Sequence, residues 1–232
     1  MSHWNPRGDP HFRWRGGEVS RVEGFSDAVF GFALTLLVVS LEAPKSYADL
    51  INALRETGVF AFCFSLLFVV WEKHHRFFRR YGLQDAWTLF LNGLLLFIVM
   101  LYVYPLRFLS TAFVDGVLLR RPMPDLGVGE MPAVFTIYGV GFLAIFGVFA
   151  LLHAHALRHF DELQMTPLEA ALTRLEVWRA VLTAAVALVS IVLAELLPAR
   201  LVGIAGYSYS LIGLVEFWHG GAAGKAEAAH AG

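Results

Sequence analysis

Residues 21–39 read RVEGFSDAVFGFALTLLVV, an apolar run of membrane-spanning length that nevertheless carries Ser26 and Asp27 near its start. A carboxylate in hydrocarbon costs roughly 2.5–3.5 kcal/mol even on lenient insertion scales, so Asp27 requires partners. The rest of the chain decides whether the run is a span. Of 232 residues, 57% are hydrophobic and only 16% charged, and the mean hydropathy is +0.61. Those values describe an all-α polytopic membrane protein, because helices satisfy their own backbone hydrogen bonds in lipid.

A spanning helix needs about 20 largely apolar residues. Runs of that kind fall near 19–41, 52–72, 85–108, 132–155, 175–197 and 200–218, giving six transmembrane helices. Arg55 and Glu56 belong at the interfacial end of the second, and Pro198 joins the last two tightly. Lys and Arg, counted loop by loop, set orientation. Arg7, Arg13, Arg15, Arg21, Lys73, Arg76, Arg79, Arg80, Arg158, Arg174, Arg179 and Lys225 share the N-terminal side. The opposite side holds Lys45, Arg55, Arg107, Arg120, Arg121 and Arg200. The excess places both termini in the cytoplasm and the long loop 109–131 outside a cell membrane.

Three regions follow. Residues 1–17 lack the apolar core and cleavage site of a signal peptide and read as a partly disordered cytoplasmic tail. Residues 18–219 form the membrane domain, and 220–232, GGAAGKAEAAHAG, read as a flexible cytoplasmic end.

Several function classes are excluded. A net charge of −1 without a basic stripe does not suit a nucleic-acid partner. The single Cys63 cannot form a disulfide within the chain. No Ser-His-Asp set, Walker loop or CxxC pair is present, so the chain reads as neither an enzyme nor a cofactor protein. His155 and His159 are four apart on a helix but lack further ligands, which makes them an interfacial pair rather than a metal site. No inverted repeat with broken helices relates the two halves.

Projected at about 100° per residue, Phe25, Phe32, Leu36 and Val39 fall roughly 120–180° from Asp27. Thr35 flanks that stripe, and Arg21 lies at its cytoplasmic edge. The first helix thus offers a column of bulky apolar side chains on one face and a carboxylate on the other. Candidate partners for Asp27 at similar depth are Trp71, His74 and His75 in the second span and Asn92 in the third. Two readings of Ser26 and Asp27 remain open on these grounds, structural bracing and a proton or cation relay.

Arg21 with Phe25-Ser26-Asp27, the Trp-x-x-His-His spacing at Trp71, His74 and His75, and LFLNGLLLF around Asn92 with Pro105 closing the third span resemble the bacterial transmembrane protein 175 family of potassium channels. The resemblance implies a homotetramer of six-helix subunits with the first helices around a central potassium pathway and no TVGYG filter. It implies a constriction by Phe32, Leu36 and Val39, with the Thr35 hydroxyl nearby. It also implies that Arg21, Phe25, Ser26, Asp27, Trp71, His74, His75 and Asn92 form a hydrogen-bond network bracing the pore helix. Relatives mostly carry Ile or Leu at the first constriction, whereas this chain has Phe32 preceded by Gly31. The permeant ion is then potassium, with modest preference over sodium; other partners are the bilayer and further copies of the chain. The rival reading is a proton-coupled transporter working through Asp27 and the His74/His75 pair.

Overall fold

A computed structural model describes residues 11–39, 45–113, 129–198 and 201–230. Among these the secondary structure is entirely helical: α1 (Arg21–Val39), α2 (Tyr47–Tyr81), α3 (Ala86–Phe113), α4 (Met131–Arg158), α5 (Pro167–Leu196), a short α6 (Ile204–Tyr207) and α7 (Leu211–His230). A single 3₁₀ turn, Ser208–Ser210, links α6 to α7 with helical dihedrals throughout, so the sixth span is one helical path tightened in the middle. The helices from Thr57–Tyr81, Ala86–Thr111, Met131–Arg158 and Pro167–Leu196 are each long and apolar enough to cross a membrane.

Local chemistry fixes where the helices start. Ser20 and Glu23 form a reciprocal capping box at α1: the Glu23 N–H donates to Ser20 Oγ at 3.2 Å and the Ser20 N–H to Glu23 Oε2 at 2.9 Å. Asp85 caps α3 by accepting the Trp87 and Thr88 N–H groups at 3.0 and 3.2 Å. Thr166 and Glu169 repeat the capping box at α5, with Pro167 in the first turn. That helix ends before Pro198, where Leu197 is held extended as the residue preceding a proline must be.

One apolar core runs through α1 to α5, with Leu91, Leu95, Val99, Phe149 and Leu152 among its most enclosed members. Small residues permit the tightest approaches. A Cβ on Gly139 of α4 would overlap Ile191 of α5, and one on Gly141 would overlap the Tyr102 ring of α3.

Four sequence expectations are corrected. The second helix continues beyond residue 72 to Tyr81, where Phe77, Phe78 and Tyr81 are buried against the bundle. The third continues through Pro105 to Phe113, as membrane helices tolerate an internal proline. Residues 11–17 are not a loose tail. Phe12 is buried, and Arg15 donates to both oxygens of Glu169 at 3.0 and 2.8 Å while the Arg15 and Gly16 N–H groups bond Arg79 O. Residues 220–230 are helical rather than flexible, since Ala, Glu and Lys favour helix and Ala223 and Ala226 pack on the core. Residues 1–10 and most of the 109–131 loop lie outside the described residues.

Candidate ion pathway and its bracing network

The buried positions of α1 are Glu23, Ser26, Phe30, Ala33 and Leu37, a 3-4-3-4 spacing that seats one stripe against α2 and α3. The opposite stripe, Gly24, Phe25, Ala28, Gly31, Phe32 and Thr35, is exposed on this chain. Phe32 is 65% exposed and Phe25 64%, which for large apolar side chains marks a face awaiting lipid, a second copy or a pore. Leu36 differs from its expected place: it is half-buried and packs against the core at the edge of the stripe. Thr35 correspondingly lies nearer the middle of the open face. Val39 ends α1, and its side chain lies outside the described residues.

The bracing side is polar and specific. Asn92 Nδ2 donates to Ser26 Oγ at 3.0 Å, and Asn92 Oδ1 meets His74 Nε2 at 2.8 Å. With the amide so oriented, His74 Nε2 carries the proton and donates. Ser26 passes its own hydrogen back to Val22 O at 2.8 Å. One asparagine on α3 thereby ties α1 to α2 with no buried polar atom of the three side chains left over on that path. A second tie runs from Trp71 Nε1 to Asp27 Oδ1 at 2.7 Å. Its indole stacks on His75, ring centroids 5.3 Å apart, and His75 in turn meets Trp14 edge-on. Asp27 sits at the border between the two faces of α1, so it holds the helix from the side and Ser26 holds it from behind.

Three of the expected network residues stand apart. Arg21 is exposed and its side chain makes no hydrogen bond or ion pair among the described residues; Phe25 is exposed; His75 contributes by ring stacking. Reasoning from the sequence also missed Phe30, whose ring lies 5.6 Å from that of His74, and the Glu23–Arg79 approach at 3.9 Å. The 3-4-3-4 spacing was the signal that could have found them.

A further polar tie lies at the α3–α4 ends, where His155 Nε2 meets Asp85 Oδ1 at 3.0 Å and the His159 ring packs on His155 at 4.3 Å. Among the described residues no group of three or more His, Cys, Asp or Glu could hold a metal. Burial alone pushes the Asp85 carboxyl up, but hydrogen bonds from Thr88 and His155 outweigh it and hold the group well below the usual carboxylate range. Such a group stabilises the fold fully above its unfolded value of about 3.9, and that contribution disappears as pH falls through the lower folded value. Thermal unfolding of wild type should therefore weaken more steeply than that of Asp85→Asn as pH drops below about 4. Parallel pH curves for the two would show that the cap carries no linkage.

An all-helical membrane protein whose first helix is pinned on one face by polar side chains and bare on the other has the build of an ion-channel subunit. Residues 21–102, which contain every member of the bracing network, match the family described as endosomal/lysosomal potassium channel TMEM175. A "Potassium channel" of Marivirga tractuosa is 36% identical over 82% of this chain and 80% of its own length. One from Chamaesiphon minutus is 30% identical over 60% of this chain and 66% of its own. A crystal structure of a variant of the potassium channel MtTMEM175, in complex with a Nanobody-MBP fusion protein, superposes with a TM-score of 0.83 at 32% identity, covering 93% of this chain and 98% of that one. The lysosomal potassium-selective channel TMEM175 homolog from Chamaesiphon Minutus superposes at 0.54 with 25% identity, over 87% of this chain and 98% of that one. The chain belongs to the TMEM175 family of potassium channels.

Proposed function

We propose that four copies of this chain surround a central axis and conduct potassium across the cell membrane, with the open stripe of α1 from each copy lining the path and both termini cytoplasmic. The observation that carries this reading is the exposure of Phe32, Gly31 and Thr35 on a helix whose other face is fully engaged. A ring of Phe32 side chains is a dry constriction, which gates by removing an ion's water without replacing it. Potassium sheds water at lower cost than sodium, being the larger ion of equal charge, so the ring favours it modestly without backbone carbonyl ligands. Thr35 adds oxygen. Its hydroxyl donates to Phe32 O at 2.7 Å, which leaves the lone pairs directed away from the helix and available to a cation. The ion passes through without a resident cofactor and without a chemical step.

Purified protein in a planar bilayer with potassium on one side and sodium on the other tests this directly. Currents reversing toward the potassium equilibrium potential are expected; a reversal potential at zero removes the selectivity. The proton-coupled alternative needs Asp27 and the histidines to exchange a proton, yet Asp27 bonds Trp71 and His74 bonds Asn92. Asp27→Asn separates the two mechanisms. In a channel the substitution lowers the yield of assembled protein and leaves the current of what assembles, whereas in a transporter it silences a well-assembled oligomer.

A further inference from the structure

Away from α1, the described residues enclose a cavity of about 90 Å³ between α2, α4 and α5. Its lining brings together Lys73, Arg76 and Arg80 of α2 and Arg179 of α5, opposed by two carboxylates, Glu72 and Glu176. The spacing of 73, 76 and 80 sets three cations on one stripe of α2. The carboxylates are already engaged. Glu176 lies 3.2 Å from both Arg80 and Arg179, Glu72 pairs with Arg76, and Glu216 of α7 approaches Arg179 at 2.5 Å. Lys73 forms no ion pair among the described residues, and its side chain is half-buried. Positive charge stays in excess even when Glu216 is counted.

Phe77 and Phe149, both nearly fully buried, also line this space, so its inner wall is of low polarity and the charges along it act more strongly there than in open water. On this measure one water needs only about 10–15 Å³, and the cavity therefore has room for a tetrahedral oxyanion. Compact oxyanions are what converging ammonium and guanidinium groups bind best. Glu72 and Arg76 are the more exposed members of the lining, with side chains 39% and 44% exposed, which puts the mouth of the cavity beside them.

We propose that this cavity binds a phosphate group, with Lys73 as its unshared ammonium and Arg76 at the entrance. The carrier is either a phospholipid headgroup, reached from the interfacial end of α2, or free phosphate. Either source joins α2 to α5 within a turn of Trp71 and His74, the residues that hold α1.

Full-length protein in neutral detergent is titrated with inorganic phosphate against chloride at matched ionic strength, reading the melting temperature. The same protein in nanodiscs of phosphatidylcholine, with and without phosphatidic acid, is scored by lipid retained on native mass spectrometry. Wild type is expected to respond in at least one arm, and Lys73→Gln to bind at least about tenfold more weakly at unchanged elution volume. A response to phosphate alone assigns a soluble ligand, to phosphatidic acid alone a lipid, and to both the phosphate group whatever carries it. Silence of wild type in both arms overturns the site, and so does a Lys73→Gln protein that responds like wild type. Should Lys73→Gln aggregate, Arg76→Gln at the exposed mouth carries the same expectation.

Discussion

Phe32→Ala raises the unitary potassium conductance severalfold and moves the reversal potential under opposed potassium and sodium toward zero. Both effects have one cause. Phe32 is exposed in the middle of the α1 open stripe, and replacing its ring by a methyl widens any constriction built from copies of it. A wider ring stays wet, so an ion crosses with part of its hydration shell, and the difference in dehydration cost between potassium and sodium no longer discriminates. The fold should be indifferent, because Phe32 is not part of the buried core of its own chain. Single-channel recording gives both quantities from one preparation. Unchanged conductance and selectivity would place Phe32 against lipid or a neighbouring helix and remove it from the path; Thr35→Ala, which deletes the only side-chain oxygen beside it on that stripe, would then become the informative substitution.

Asn92→Leu is expected to lower stability by about 1–3 kcal/mol, the usual cost of leaving a buried hydrogen-bonding group without a partner. The side chain is 3% exposed and serves two partners at once, Ser26 on α1 and His74 on α2, which are themselves 0% and 2% exposed. Bonds between membrane helices average nearer 0.6 kcal/mol, so the lower half of the range is the better guide if water reaches His74 in the variant. A double-mutant cycle isolates the link: Ser26→Ala costs less in the Asn92→Leu background than in wild type if the two side chains act together. Additive melting-temperature losses would mean that Asn92 acts on His74 alone. The functional consequence should accompany the structural one, with currents that flicker or vanish as α1 loses its rear support.

Much of the architecture follows from composition because the bilayer is so restrictive a solvent. Runs of about 20 apolar residues in a chain this hydrophobic have helix as their practical solution, and Pro198 marks where the fifth ends. The identity of the bracing groups was also legible, since Ser26, Asp27, Trp71, His74 and Asn92 are costly in lipid unless they meet. Their pairing was not. One-dimensional projection treats every face of α1 as equivalent until a neighbour occupies it, so it set Asp27 directly behind the stripe, whereas the packing of α3 brings Ser26 to that place and leaves Asp27 to the flank with Trp71.

The same limit explains the two ends of the chain. Residues 11–17 contain too few apolar side chains to signal structure locally, and their order comes from Arg15 finding Glu169, a partner 154 positions away. Residues 220–230 are rich in Ala and Gly, whose local preferences conflict, and the core surface beneath Ala223 and Ala226 decides in favour of helix. The sequence by itself determined the solvent, the helical class and the inventory of polar groups that must be satisfied. Only the tertiary structure decided which group satisfies which, and hence which face of α1 is left open, because hydrogen-bond partners and burial are properties of neighbours brought together by folding and not of spacing along the chain.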